Sequence, residues 1–261
     1  MKKQLVLIKF GGSLITDKRT EDAVRADMIE RCAEQVEEVK RTFPATDLII
    51  GTGVGSFGHI QARKYLLKKG IKPAELFYGM CTIHNNVRKL NEMVVDRLTE
   101  RTLSAFSISP SAIFMANDGA VASSFFQPVR QLLSSGCIPM MHGDAVLDPV
   151  RGLTIMSTEK VLQTCLEDLR ELYEEIVVVY CMDVDGIWDE NRKVIPVLER
   201  DRQLFMHVND VEDVTGGIEG KVRSARKAAD LADRVYLISG KTQGTLRKAI
   251  EGKQVGTRIE T

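Results

Sequence analysis

Apolar runs of four to six residues alternate with helical periodicity along almost all of the 261-residue chain. That alternation is the signature of an α/β protein with a largely parallel sheet. A first strand is expected over residues 5–10, followed by a helix over 21–41 with Met28, Ile29, Cys32, Val36 and Val39 on one face. A strand over 47–50 runs into a glycine-rich loop. Helical patterns follow over 59–67 and 81–103, the second with Val87, Leu90, Val94 and Leu98 near the helical period. Residues 111–115 and 137–141 read as buried strands. Residues 146–148 and 153–156, joined by Pro149-Val150-Arg151-Gly152, read as a hairpin. Ser157 stands where a helix N-cap belongs. The pattern resumes with a strand over 176–181, a helix over 222–232, a strand over 235–238 and a helix over 245–250. A soft division near 169–175 splits the chain into lobes of 1–170 and 171–261 within one continuous domain.

Composition narrows the partners. Lysine plus arginine number 36 and aspartate plus glutamate also 36, so zero net charge offers no electrostatic case for nucleic acid or an acidic membrane surface. No stretch approaches the roughly 20 apolar residues that cross a bilayer. The opening apolar run is short and meets a polar glycine loop at once, and a cytoplasmic protein is expected. Five scattered cysteines (32, 81, 137, 165, 181) contain no C-x-x-C pair, which suggests neither a disulfide framework nor a zinc site. Several fall at apolar periodic positions and read as small core residues.

The loop Gly51-Thr52-Gly53-Val54-Gly55-Ser56-Phe57-Gly58-His59 is the most informative segment. Glycines at a strand-to-helix turn let backbone N–H groups approach an anion, and the helix N-terminus adds partial positive charge. A phosphate cradle is one reading. Residues 53–58 also spell the dinucleotide fingerprint G-x-G-x-x-G, but that reading needs an acidic strand end about 20 residues on. The region there, Lys68-Lys69-Gly70-Ile71-Lys72-Pro73, is basic and broken by proline. A glycine-rich turn without a ligand is the third reading. No Walker A loop is present.

Other strand ends carry similar chemistry. Lys9 closes the first strand before Gly11-Gly12-Ser13, a second candidate anion nest, and Lys18 lies a short loop further on. Gly143-Asp144 and Asp183-Val184-Asp185-Gly186 end two later strands, and Gly216-Gly217-Ile218-Glu219-Gly220-Lys221 precedes a helix. Open α/β sheets bind ligands at the carboxyl ends of their strands. Two glycine nests, three lysines and an aspartate suit phosphoryl transfer, which proceeds mainly by positioning and electrostatics.

Lys9-Phe10-Gly11-Gly12-Ser13-Leu14-Ile15-Thr16-Asp17-Lys18 resembles the opening motif of the amino-acid kinase family. Gly55-Ser56-Phe57-Gly58-His59 and the run from Asp213 to Lys221 narrow the resemblance to the isopentenyl phosphate kinase group. Asp183-Val184-Asp185-Gly186-Ile187 and the run from Gly244 to Ile250 fit as well. The resemblance implies a three-layer α/β/α sandwich, ATP on the C-terminal lobe, a phosphorylated small-molecule acceptor on the N-terminal lobe, Mg2+ and a homodimer. The implied reaction turns ATP and isopentenyl phosphate into ADP and isopentenyl diphosphate, a step of isoprenoid biosynthesis.

By position, Lys9 and Lys18 would stabilise the transferring phosphoryl group, and Gly11, Gly12, Ser13 and Gly55 would line the ATP phosphates. Asp183, Gly217 and Lys221 fall on the nucleotide side. Val54, Gly55, His59, Ser157 and Thr158 fall to the acceptor, and Asp144 would hold the lysines. An acceptor phosphate already carries an anionic nucleophile, so His59 reads as a hydrogen-bond donor rather than a base. Phe77, Tyr78, Met80, Ile83 and Met93 are candidates for an apolar tail slot, with ordinary helix core as the alternative.

Two departures lie near the acceptor. Thr52-Gly53-Val54-Gly55 stands where the family has His-Gly-Gly-Gly, and Ser157-Thr158-Glu159-Lys160 where it has Ser-Gly-Asp-Asp. The β-branched Val54 disfavours a positive φ and narrows the cradle. A kinase for another small phosphate or a phosphonate such as fosfomycin, and a non-catalytic nucleotide sensor, are the competing functions.

Overall fold

The computed structural model describes residues 3–17, 19–66, 73–202 and 217–260. Its strands are β1 (Gln4–Phe10), β2 (Asp47–Thr52), β3 (Ala105–Ser107), β4 (Phe114–Asn117), β5 (Ala120–Ser124), β6 (Ile138–His142), β7 (Asp144–Asp148), β8 (Gly152–Met156), β9 (Glu175–Met182), β10 (Val197–Leu198), β11 (Arg234–Ser239) and β12 (Thr257–Ile259). The helices are α1 (Gly12–Ile15), α2 (Ala26–Thr42), α3 (Gly55–Leu66), α4 (Pro73–Glu100), α5 (Pro110–Ile113), α6 (Gln127–Ser134), α7 (Thr158–Leu169), α8 (Gly217–Ala229) and α9 (Thr245–Ile250). Eight strands form one sheet in the order β10-β12-β11-β9-β1-β2-β6-β3. Every pair in it is parallel except β11 with β12.

Strand alternation explains the layers. Along β1, Leu5 and Leu7 join one core while Val6, Ile8 and Phe10 join the other. The first core packs against α7 through Val161, Leu162, Cys165, Leu166 and Leu169, and against α8 through Val222, Ala225 and Ala228. The second packs against the apolar face of α2, against Leu90, Val94 and Leu98 of α4, and against Leu246, Ala249 and Ile250 of α9. A central strand with both faces covered is apolar along its buried length, as β1 is from Leu5 to Ile8. The fold is therefore the expected three-layer α/β/α sandwich with a largely parallel sheet.

The two ends of the chain supply the two halves of the sheet. Residues up to 170 contribute β1, β2, β3 and β6, later residues contribute β9 to β12, and the β1–β9 pairing joins them. Among the described residues no helix is long and apolar enough to cross a membrane. Cys32, Cys165 and Cys181 are buried core residues, and all five cysteines are free thiols.

Several elements differ from expectation. Residues 111–115 do not form a strand of the main sheet. Pro110 starts a helical turn instead, as proline does at the first helical position. Phe114 then opens a small separate hairpin, β4–β5. Its turn is Asp118-Gly119, both with positive φ, an Asp-Gly hairpin signal passed over in the sequence. The helix expected from 21 begins at Ala26, and the one expected from 81 begins at Pro73. The short strands β3, β10 and β12 have too few residues to show periodicity.

Candidate active site

The site begins where β1, β2 and β6 end side by side. Gly53 N donates to Phe10 O at 2.7 Å, which brings the loop after β2 onto the loop after β1. A Cβ on Gly12 would overlap the backbone nitrogen of Gly55, and one on Gly53 would overlap that of Gly12. The two glycine nests are thus packed back to back, and glycine is required because backbone meets backbone. Thr16 locks the junction: its hydroxyl donates to Gly12 O at 2.8 Å and accepts from Ser56 N at 3.1 Å.

Gly55 has φ +47°, whereas Val54 is absent from the positive-φ residues, so the β-branched side chain sits there without strain. Its methyl groups fill space that glycine leaves open on either side. A Cβ on Gly58 would lie 2.7 Å from Val54 Cγ2, and one on Gly143 would lie 2.8 Å from Cγ1. The other departure is also accommodated. Thr158 is buried, its hydroxyl donates to Thr52 O at 2.8 Å, and its methyl group lies over Gly51.

A cavity of about 250 Å³ opens at this junction. Lys9, Gly12, Ser13, Val54, His59, Asp144, Ser157, Thr158 and Lys221 of the expected site line it. Ser157 caps α7 as expected, its hydroxyl accepting from Lys160 N at 3.2 Å. The N-termini of α3 and α7 meet the cavity through Val54 and Thr158, which favours an anion there. Ala62, Ile83, Ile155 and Met156 supply an apolar wall.

Lys9 shares a face of β1 with Leu5 and Leu7, the face covered by α7. There its ammonium pairs with Glu159, and both side chains are nearly buried. Burial works against the ionised Glu159 carboxyl, but Lys9, the Glu159 backbone N–H and Lys221 outweigh it and hold the group below the usual carboxylate range. The acid on Lys9 is therefore Glu159 rather than Asp144. The sequence held one signal for it: Glu159 follows an N-cap serine, within the segment that departs from the family pattern.

Asp144 lines the same cavity with other partners. Its carboxylate accepts from His84 Nδ1 at 2.7 Å, Ser111 N at 3.0 Å and Ala145 N at 2.8 Å. Gly11, Gly55, Asp183 and Gly217 lie outside the lining. Gly11 N donates to Cys181 O at 2.9 Å, which fastens the first nest to β9. Asp183 bridges Arg25 at 2.7 Å and Lys241 at 2.9 Å. Gly217 opens α8 with φ +57°, and its carbonyl accepts from Lys221 Nζ at 3.2 Å. Lys18 and motif positions 213–216 lie outside the described residues. Of the tail-slot candidates, Ile83 faces the cavity and Met80 is buried. Phe77 and Tyr78 are exposed, and Met93 lines a separate groove with Val24 and Ala26. Periodicity located α4 but could not say which turn of it faces the ligand.

The chain belongs to the amino acid kinase family, whose model matches residues 4–239. Among its relatives, the isopentenyl phosphate kinase of Methanothermobacter thermautotrophicus is 31% identical over 98% of both chains. The Arabidopsis thaliana isopentenyl phosphate kinase is 26% identical over 97% of this chain and 94% of its own. An X-ray structure of an isopentenyl phosphate kinase superposes with a TM-score of 0.79 at 26% identity, covering 98% of this chain and all of the other. The product complex of the T. acidophilum enzyme superposes at 0.77 with 25% identity and the same coverage. The family assignment read from the lysine, glycine and histidine motifs holds.

Proposed function

We propose that this chain transfers the terminal phosphoryl group of ATP to isopentenyl phosphate, giving isopentenyl diphosphate and ADP. The observation that carries this reading is one cavity lined both by Lys9, Lys221, His59 and glycine backbone and by the apolar Ala62, Ile83, Ile155 and Met156. A phosphate ester with a short hydrocarbon tail needs both. The full-length relatives named above are isopentenyl phosphate kinases.

In this reading Gly12 and Ser13 offer backbone to the ATP phosphates, and Lys9 and Lys221 neutralise the charge that spreads over the transferring group. Lys18 joins them by motif. His59 donates to the acceptor phosphate, beside Val54, Ser157 and Thr158. Glu159 keeps Lys9 in one place, which lowers the reorganisation needed during transfer. Elements before residue 170 hold the acceptor and those after it hold the nucleotide, apart from Gly12 and Ser13, which reach the ATP phosphates from the first lobe. Gly11, Gly55, Asp183 and Gly217 act from behind the lining by fixing loops.

Magnesium enters this reading with the nucleotide, where it would neutralise phosphate charge. Among the described residues no group of three or more His, Cys, Asp or Glu side chains is arranged to hold an ion. Such an ion is ordinarily held largely by substrate phosphates and water. A homodimer is also part of the proposal. The outer edge of β3 is unpaired among the described residues and carries the exposed Phe106, and such an edge calls for cover. Light scattering in solution tests it.

A panel of acceptors with ATP tests the reaction: isopentenyl phosphate, longer prenyl phosphates and a phosphonate. Isopentenyl phosphate is expected to give the highest kcat/KM. Faster turnover of the phosphonate overturns the acceptor assignment, and ATP binding without transfer to any acceptor favours a nucleotide sensor.

A further inference from the structure

A buried carboxylate lines the cavity that, on the reading above, receives a phosphate. Asp144 is 1% exposed. An uncompensated negative charge there would repel the ligand, and more strongly than in water because the surroundings are of low dielectric. Its compensation is visible. Two backbone N–H groups reach it from Ser111 and Ala145, and among the described residues the side chain bonded to it is His84.

His84 arrives from a distant part of the chain, on α4, and its Nδ1 stands 2.7 Å from Asp144 Oδ1. The preceding residue, Ile83, is 4% exposed and forms part of the apolar wall. One hydrogen bond therefore does two things. It places a donor on the carboxylate, and it pins the cavity-facing turn of α4 to the start of β7. Two further ionisable groups nearby are Arg88, one turn further along α4, and His142 at the end of β6. Arg88 is engaged with Glu92, and His142 Nδ1 donates to Gly143 O at 3.0 Å. Neither takes the place of His84 on Asp144.

We propose that His84 is a positioning residue for the acceptor, acting through Asp144 to keep the acceptor end of the cavity receptive to an anion and correctly walled. This inference rests on the proposed phosphotransferase function.

Three variants separate this role from simple packing. Asparagine at position 84 places its amide N–H where Nδ1 stands, glutamine reaches to where Nε2 stands, and alanine removes the donor. His84→Ala and His84→Gln are expected to raise the acceptor KM about tenfold or more. His84→Asn is expected to remain within about threefold of wild type, with ATP KM within about twofold for all three. Equal behaviour of the Asn and Gln variants, an unmoved acceptor KM in His84→Ala, or a parallel rise in both KM values overturns the proposal. The ratios are taken on whichever phosphate acceptor the wild-type chain turns over, and calorimetric binding of isopentenyl phosphate gives them without turnover. Binding without turnover counts against the kinase reading while the His84 comparison stands. Absence of binding to wild type overturns both.

Discussion

Glu159, at the start of α7, holds the Lys9 ammonium at the end of β1, across 150 residues of chain. The pair joins the helix that opens on the cavity to the central strand of the sheet. Glu159→Gln keeps the shape and removes the charge. It is expected to lower kcat about 10- to 100-fold, because an unpaired Lys9 is no longer held for the transferring group. Stability should fall by about 3 kcal/mol, the lower end for a broken buried pair, since neither side chain is wholly withdrawn from solvent. Steady-state kinetics with urea denaturation check both, and an unchanged kcat contradicts the role.

His59 lines the cavity beside Val54 and Ala62. Hydrogen bonds to charged groups contribute about 1.5–3 kcal/mol, which corresponds to a loss of roughly 10- to 150-fold on removal. His59→Ala should therefore lower kcat/KM for the acceptor by that factor and leave the KM for ATP within about twofold. Equal losses on both substrates would place His59 elsewhere.

Val54 and Gly58 are expected to be coupled. An alanine in a helix ordinarily stabilises relative to glycine by up to about 1 kcal/mol. Here the new Cβ would lie 2.7 Å from Val54 Cγ2, so Gly58→Ala should instead destabilise by about 1–3 kcal/mol. In a Val54→Gly background that obstruction is gone and the milder approach of Val87 Cγ1, at 3.2 Å, remains. A double-mutant cycle on thermal or urea unfolding should return a coupling of about 1 kcal/mol or more. Additive effects would show that the loop shifts freely.

His142 sets a pH dependence. Burial pushes its pKa below the ordinary histidine value, with His84 and Arg88 acting in the same direction and Asp144 and the Gly143 carbonyl opposing. The unfolded chain takes up a proton near pH 6.5 and the folded chain only at lower pH, so the unfolded state binds more protons between those values. Stability is then complete above about pH 6.5 and falls as the pH drops toward the folded pKa, by at most about 1.4 kcal/mol per pH unit. Urea melts between pH 7.5 and 5.5 should show this slope, and His142→Asn, which keeps a donor toward Gly143 O, should reduce it. An identical slope in the variant rules His142 out as the source.

Much of the architecture was legible along the chain because it depends on local pattern. The apolar face of α2 and the Val87, Leu90, Val94 and Leu98 row of α4 are buried as their spacing requires. Ser157 caps α7, and the β7–β8 hairpin turns at Gly152 with φ +81°. Lys9, the glycine nests and His59 were legible as candidates that meet at one cavity, because few other demands place glycine and lysine together at strand ends.

Sequence alone determined the alternation of elements, the faces they bury and the loops that carry charge, since each arises from residues within one or two turns of one another. Tertiary structure alone decided which loops meet. The order β9-β1-β2-β6 set the two glycine nests back to back and brought α7 over Lys9, so that Glu159 and not Asp144 became its partner. The same packing put His84 on Asp144 and turned Ile83, rather than Met93, toward the cavity. The physical reason is that strand order and helix placement come from burying two cores on opposite faces of one sheet. Contacts between residues far apart in the chain exist only once those faces are covered.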